Sequence, residues 1–348
     1  MIDFNKLKML NKYKKVYAKF PNLYGVHKLM IFFLKNKKIV HDNLDNLYKY
    51  FNSNDVIIIN DSKALPIKYK CYKIKNNIKS FITIYLIREL NKKYNIWDVL
   101  VNPARKVRVG NILYFDINNI TIKSEILSNT TSKGRILKFY KKIKKDFFYT
   151  GKFLLHKKTY KNNNINVNNY QNYYAKKIGS IFLPTSGVYI DKNILLSLKL
   201  NNINILKITY HLNFNKYLIF NNKNIYNDIY LNYEKLIINN KFLHKINKIY
   251  KKNIKICAVG SNTIKALESL IAYKYKIIKF NGHINKMLPY PYKYKFFNSL
   301  ITYFNDIYTI NFLILLNLCG FNNVYKIYLE AIKNNYKFNT YGDILLII

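Results

Sequence analysis

The chain has 348 residues, half of them hydrophobic, which is enough to bury a sizeable core and to build two domains. Its 59 Lys and Arg against 17 Asp and Glu leave a formal charge of +42, which attracts phosphate backbones and disfavours acidic partners. Cys71, Cys257 and Cys319 lie far apart in apolar runs, so neither a disulfide framework nor a cysteine metal site is expected.

The composition qualifies the charge. Lys, Asn, Ile and Tyr dominate, with 34 Tyr against 10 Gly, 6 Pro and 1 Trp. The abundant residues use A- and T-rich codons, and we expect an AT-rich genome such as that of an intracellular symbiont or parasite. Part of the positive charge is then mutational and says less about nucleic acid than its size suggests. The opening MIDFNKLKML carries an acid and an amide among its apolar residues and does not read as a signal peptide. The apolar run Phe312 to Cys319 is too short to span a bilayer. A cytoplasmic protein without a membrane partner is expected, with the cysteines reduced.

In chain order, Leu44, Leu47 and Phe51 share one face of an amphipathic stretch. VIIIND follows, an apolar strand that stops at Asn60 and Asp61. A polar pair there is either the rim of a site or ordinary turn chemistry. From Ile67 to Tyr140 six short strand-like runs succeed one another: IKYKCYKI, IKSFITIYLI, NIWDVLV, NILYF, ITIKSEIL and RILKFY. Turn residues such as Asn76-Asn77 and Pro103 to Gly110 separate them, so a small β-barrel or sandwich is expected. Residues 141–169 are Lys- and Asn-rich and read as a connection, with an exposed Asn run at 162–164.

Alternation of strands and helices then resumes. GSIFLPTSGVYI holds a strand and a Pro-Thr-Ser-Gly turn, Ile194 to Leu200 is helical, and INILKITYHL is a strand ending near His211. Phe242 to Tyr250 is a basic helix. Ile254 to Leu270, IKICAVGSNTIKALESL, reads as a buried strand, a break at Gly260, N-cap oxygens at Ser261, Asn262 and Thr263, and a helix packing through Ile264, Leu267, Leu270 and Ile271. Such a helix start suits an anionic ligand, or merely packs on a sheet. The final YGDILLII is a buried strand behind a turn. The fold class is therefore α/β: a mixed domain built from both chain ends, 1–64 and 150–348, with an inserted β domain at 65–149. Gly, Ala, Pro and Arg survive the codon drift at Pro66, Pro103-Ala104-Arg105, Gly179, Pro184, Gly187, Gly260 and Gly342. Each cluster follows a strand, so either positive-φ turns or a shared cleft keeps them.

These motifs resemble those of the S-adenosylmethionine:tRNA ribosyltransferase-isomerases of queuosine biosynthesis. DVIIINDSKALP resembles that family's strand ending in Asn-Asp-Thr-Arg, and WDVLVNPARKVRVGNILYF its Pro-Ser-Arg-Lys turn. YQNYYA is similar to Tyr-Gln-Thr-Val-Tyr-Ala, and GSIFLPTSGVYI to Gly-Ser-Val-Ala-Ala-Pro-Thr-Ala-Gly-Leu-His-Phe. AVGSNTIKALES is similar to Ala-Val-Gly-Thr-Thr-Ser-Val-Arg-Ala-Leu-Glu-Ser, and YKFNTYGDILLII to Tyr-Arg-Phe-Phe-Ser-Tyr-Gly-Asp. Six pieces in order along nearly the whole chain carry the resemblance. There are departures. HLNFNKY keeps His211 but loses two glycines, IYLNYE keeps Glu234 but loses two histidines, Tyr189 replaces a histidine, and YFNDIYTI lacks the family's His, Pro and Lys.

The resemblance implies an α/β domain interrupted by a six-stranded barrel. It implies S-adenosylmethionine as ribosyl donor and, as partner, a tRNA anticodon arm carrying a 7-aminomethyl-7-deazaguanine (preQ1), with no metal and a monomeric protein expected. It implies a base near C5′ of the donor and an acid for the departing adenine; His211, Asp61, Glu268 and Asp343 are the catalytic candidates. Asn60, Pro184, Thr185, Gly187, Gly260, Ser261, Asn262, Tyr341 and Gly342 are the substrate-binding candidates, and Arg105, Lys106 and Arg108 the tRNA-binding ones. Glu268 could instead be a solvated or salt-bridged helix residue, His211 an ordinary half-buried histidine and Asp343 a turn former. Two other classes stay open: a non-catalytic tRNA-binding descendant, and an unrelated α/β enzyme holding phosphate at a helix start.

Overall fold

The computed structural model describes residues 2–18, 27–117, 120–143, 145–153, 171–213, 229–249, 254–339 and 341–348. Of the expected connection at 141–169, residues 144 and 154–169 lie outside them, the Asn run at 162–164 included, as does most of HLNFNKY. The described residues divide into an α/β unit, up to Lys63 and from Gln171 onward, and a barrel unit from Ala64 to Phe153.

The α/β unit is built on a nine-stranded sheet. Its central strands Asn204–Tyr210, Val56–Asn60, Ile256–Val259 and Ser299–Tyr303 run parallel, with Ile58 beside both Leu206 and Ala258 and Val259 beside Ile301. Both faces are covered, which is why these strands read as unbroken apolar runs rather than alternating ones. One face packs Ile57, Ile59, Cys257, Val259 and Ile301 against Leu44, Leu47, Ile194 and Leu198. Ile344–Ile347 and Lys28–Phe32 extend the sheet on one side. Ile229–Ile238 and Phe280–Met287 extend it antiparallel on the other. The parallel register brings Asn60, Tyr210 and Val259 to the same sheet edge, so the chain leaves three neighbouring strands at one place.

Local details differ from the sequence reading. The Leu44 stretch is a 3₁₀ turn, Leu44–Tyr50, whose three-residue period matches Leu44 and Leu47. The helix over Ser261–Lys274 starts at Gly260, with φ of 88°, and no side chain caps it: Thr263 Oγ1 instead donates back to Val259 O (2.8 Å). It is also buried nearly all round, from Ser261 to Ile271, where a single apolar face was expected. In GSIFLPTSGVYI the strand stops at Ser180, because Ser180 Oγ is drawn to Phe182 O and Leu212 N; Ile181 to Leu183 are buried without joining a ladder. Phe312 to Cys319 lies in the helix Ile310–Cys319. No single helix among the described residues is long and apolar enough to cross a membrane. Ile310–Cys319 and Phe321–Lys333 reach that length only as a pair bent by 114°.

The barrel unit is a closed six-stranded antiparallel barrel over the six expected runs, in the order Ile120–Asn129, Gly134–Phe139, Ile96–Asn102, Ile78–Asn91, Lys68–Lys75, Ile112–Ile117. Alternate residues fill it, among them Cys71, Ile82, Ile84, Trp97, Val99, Phe115 and Phe139. Asn76 and Asn77, both at positive φ, make the two-residue hairpin turn. The short helix Lys145–Thr150 sends Phe147 into this core.

Candidate active site

Asn60 organises the edge of the α/β sheet. Its amide donates to Tyr210 O (2.8 Å) while Oδ1 accepts from Tyr210 N (2.9 Å) and Ser62 N (3.1 Å), so one side chain locks two strand ends together. Asp61 follows, buried, with Oδ1 accepting from Thr209 Oγ1 (2.6 Å) and its carbonyl from Lys176 N and Lys177 N. Ser62 Oγ sits 2.6 Å from His211 Nδ1. A Cβ on Gly179 would come within 2.7 Å of His211 Nε2, so only glycine lets the chain pass over the imidazole. Burial first, then the charges of Lys235 and His283, push the His211 pKa down to about 4. The ring is neutral at pH 7, with one nitrogen tied to a hydroxyl.

A second group packs beside Gly260. A Cβ there would meet Ser186 Cβ and Oγ at 3.2 Å, and one on Gly187 would strike Tyr174 Oη at 1.9 Å and Asn172 Nδ2 at 2.6 Å. The Pro184–Gly187 turn is pinned by Asn172 Nδ2 donating to Pro184 O (2.9 Å) and by Thr185 Oγ1 donating to Tyr303 Oη (3.1 Å). Asn172 Oδ1 is buried, and among the described residues nothing donates to it. Burial and, after it, the negative charge of Asp61 raise the Tyr174 phenol well above its usual range, which joins this group to the first. Asn60, Asp61, His211, Pro184, Thr185, Gly187 and Gly260 thus form one connected set, with Ser261 and Asn262 opening the helix behind Gly260.

Glu268 and Asp343 make their hydrogen bonds elsewhere. Glu268 is buried rather than solvated and has no salt bridge among the described residues: it accepts from the amides of Lys295, Phe296 and Phe297 (2.8–3.2 Å), so it anchors that loop. Burial raises its pKa and those amides pull it back in part. Asp343 accepts from Lys28 N (3.2 Å) and Lys337 N (2.8 Å), beside Gly342, where a Cβ would lie 2.1 Å from Lys337 O; Tyr341 is buried in the same turn.

Beneath the first group lies a buried polar cluster. Lys265 Nζ donates to Glu234 Oε2 (2.6 Å), with both side chains almost wholly inaccessible. Tyr210 Oη donates to the same oxygen, and Asn213 N to the other (2.7 Å). Burial alone would raise Glu234, but Lys265, the Asn213 amide and Tyr210 outweigh it and hold the carboxylate ionised. The ammonium also stands 5.2 Å from the centre of the Tyr210 ring. This cluster ties the helix behind Gly260 to the strand that ends at His211. Sequence reasoning missed Lys265 and Tyr210; the signal was Lys265 standing where the resembling motif has Arg, and Glu234 persisting where its neighbours had changed. Ser62 and Asn172 carried no comparable signal.

On the barrel unit, Arg105, Lys106 and Arg108 are exposed on the turn after Ile96–Asn102. Arg135, which sequence reasoning also missed, is buried beneath them and donates to Ala104 O, Val107 O, Thr131 O and Gly134 O (2.8–3.3 Å). Among the described residues no three His, Cys, Asp or Glu are grouped to hold a metal ion.

Comparison with known proteins supplies context. The family described as "Queuosine biosynthesis protein" matches residues 15–347. An S-adenosylmethionine:tRNA ribosyltransferase-isomerase of Amoebophilus asiaticus is 32% identical over 92% of both chains. One from Flavobacterium psychrophilum is 29% identical over 92% of this chain and 93% of its own. The crystal structure of an S-adenosylmethionine tRNA ribosyltransferase from Thermotoga maritima, 20% identical, superposes with a TM-score of 0.53 over 97% of this chain and 99% of that one. That last likeness is one of fold.

Proposed function

This chain belongs to the queuosine biosynthesis protein family, and from that premise we propose that it is an S-adenosylmethionine:tRNA ribosyltransferase-isomerase. It transfers the ribose of S-adenosylmethionine to the 7-aminomethyl group of a 7-deazaguanine in a tRNA anticodon and isomerises it to the epoxycyclopentane of epoxyqueuosine. Adenine and methionine leave. The observation that carries the geometry of this reading is His211: a neutral imidazole at the rim of the sheet, with Nδ1 on Ser62 and Nε2 beneath Gly179.

In this reading His211 removes the proton from C5′, which the adjacent sulfonium makes acidic. The imidazole is unprotonated at pH 7 and so has a free site for the proton, but with a pKa of about 4 it is a weak base and the sulfonium supplies the driving force. Asp61, anchored by Thr209, presents its carboxyl group to the cationic donor. Asn172 Oδ1, buried and without a donor among the described residues, accepts from a substrate N–H or hydroxyl. The amides at Ser261 and Asn262 suit the methionine carboxylate, because a helix start repels the sulfonium itself. Arg105, Lys106 and Arg108 contact tRNA phosphates. Glu268 and Asp343 act through the loops they hold. A non-catalytic tRNA-binding descendant is the weaker reading, since relatives carrying the enzyme name align over 92% of the chain.

The test is incubation with preQ1-containing tRNA and S-adenosylmethionine, followed by mass analysis of the nucleosides. Epoxyqueuosine is expected. Its absence, with tRNA still bound, turns the reading to the non-catalytic descendant.

A further inference from the structure

The outer face of the barrel carries an arrangement that the site above does not use. Register places four side chains in one row across adjacent strands: Lys123 opposite Tyr114, Tyr114 opposite Tyr72, and Tyr72 opposite Phe81. The Tyr72 and Tyr114 rings stack at 5.5 Å, and Phe81 meets Tyr72 edge-on at 6.2 Å. Lys79 Nζ stands 4.5 Å above the Tyr72 ring and Lys123 Nζ 5.9 Å from that of Tyr114. Phe81 is 69% exposed, an unusual position for a large aromatic on a strand. Beside the row is a cavity of ≈ 660 Å³ whose walls include Lys70, Thr83, Asn102 and Asp116, and Pro103 of its rim leads directly into Arg105 and Lys106.

We propose that this face is a stacking site for an unpaired base of an RNA strand, with Phe81 as the platform. Aromatic faces interleaved with cations are what single-stranded nucleic acid requires: rings for the bases, ammonium groups for the backbone. The charge balance selects this occupant. Lys79 and Lys123 stand over its rings and Lys70 lines the cavity, whereas the carboxylate of Asp116 already accepts from Tyr72 Oη (3.2 Å) and Thr121 Oγ1 (2.8 Å). A cavity of this volume accommodates a nucleoside, and Thr83 and Asn102 offer hydrogen-bonding groups to its edge. The 34 Tyr are scattered through the chain, but composition alone does not align three aromatics in one register row beside two ammonium groups.

The inference rests on the tRNA reading above and is tested on the full chain by anisotropy of labelled tRNA and of a short single-stranded RNA. F81A is expected to weaken both by about 5- to 150-fold, the range for one lost base stack, and F81W to restore them. K79A and K123A are each expected to flatten the salt dependence by about one phosphate contact. Phe81 is exposed, so these changes leave folding intact. Unchanged RNA binding by F81A overturns the inference, as does an equal loss of heparin binding or a Phe81-dependent self-association seen by sedimentation. Nucleoside analysis of the same preparations separates the failures. Wild-type modification of tRNA with no effect of F81A on binding overturns this inference alone. No modification, with Phe81-dependent RNA binding, overturns the reaction alone.

Discussion

His211 owes its neutral state to its surroundings. Burial, with Lys235 and His283 nearby, makes the charged imidazolium unfavourable, so protonation waits until pH falls towards about 4. Turnover is expected to be flat through neutrality and to drop on an acid limb well below the usual histidine range; a limb centred near 6.5 argues against His211 as the base. Stability follows the same sign. An unfolded chain binds this proton below about 6.5 and the folded one only near 4, so stability falls as pH drops through that window. The loss from this group is on the order of 3 kcal/mol, checked by comparing urea midpoints of wild type and His211→Ala across the window. His211→Ala itself should lower ribosyl transfer by about 10²- to 10⁴-fold with tRNA binding retained. Gly187 makes a steric prediction. Ala there must displace the Tyr174 hydroxyl or Asn172, costing about 1–3 kcal/mol and loosening the Pro184 turn, measurable as a lower melting point and a raised KM for the donor.

At the scale of elements, the buried pair of Lys265 and Glu234 joins the helix behind Gly260 to two strands. Removing one partner leaves the other charge buried and unpaired. Lys265→Met is therefore expected to cost about 3–5 kcal/mol, read from denaturant unfolding. Lys265→Arg keeps the charge and should recover most of it; equal damage by both variants would show that shape rather than charge matters there. In the barrel, Arg135 is the corresponding clamp. It donates to four backbone carbonyls, those of Ala104 and Val107 in the turn around Arg105 and those of Thr131 and Gly134 in the turn before its own strand. Arg135→Met should lower stability by about 2–3 kcal/mol, since several carbonyls lose a charged donor together. It should also weaken tRNA binding more than loss of one exposed charge would, because the Arg105 turn loses its support.

For the whole molecule, the decisive distinction is between an enzyme and a tRNA-binding descendant. S-adenosylmethionine alone should raise the melting temperature, since a ligand at about 100 times its Kd contributes about 2.7 kcal/mol. Stabilisation by tRNA with none by S-adenosylmethionine would favour the descendant. The +42 charge predicts tRNA affinity that falls steeply with salt, and a salt-independent affinity would remove the electrostatic account of the basic turn.

Much of this was legible before any coordinates. Strands covered on both faces must be continuously apolar, and a barrel that is wet outside and dry inside must alternate, so VIIIND, ICAV and the six runs of the barrel declared themselves by physics alone. In a chain with only 10 Gly, position after a strand marked Gly187, Gly260 and Gly342, and each is a place where a Cβ collides or the backbone takes positive φ. What local pattern could not tell was which polar residue meets which. Glu268 and Lys265 sit three residues apart on one buried helix, yet one anchors a loop and the other neutralises Glu234 from a distant strand. Neither propensity nor spacing distinguishes them, because the difference lies in partners 27–31 residues away. The same holds for the aromatic row, where 34 Tyr look alike until strand register aligns two of them with Phe81. Sequence by itself determined the apolar framework and the strand-end turns, since these follow from burial and backbone sterics. Only tertiary structure decided the buried ion pair, the neutral His211 and the stacking face, since each is a property of side chains brought together by pairing across the sheet.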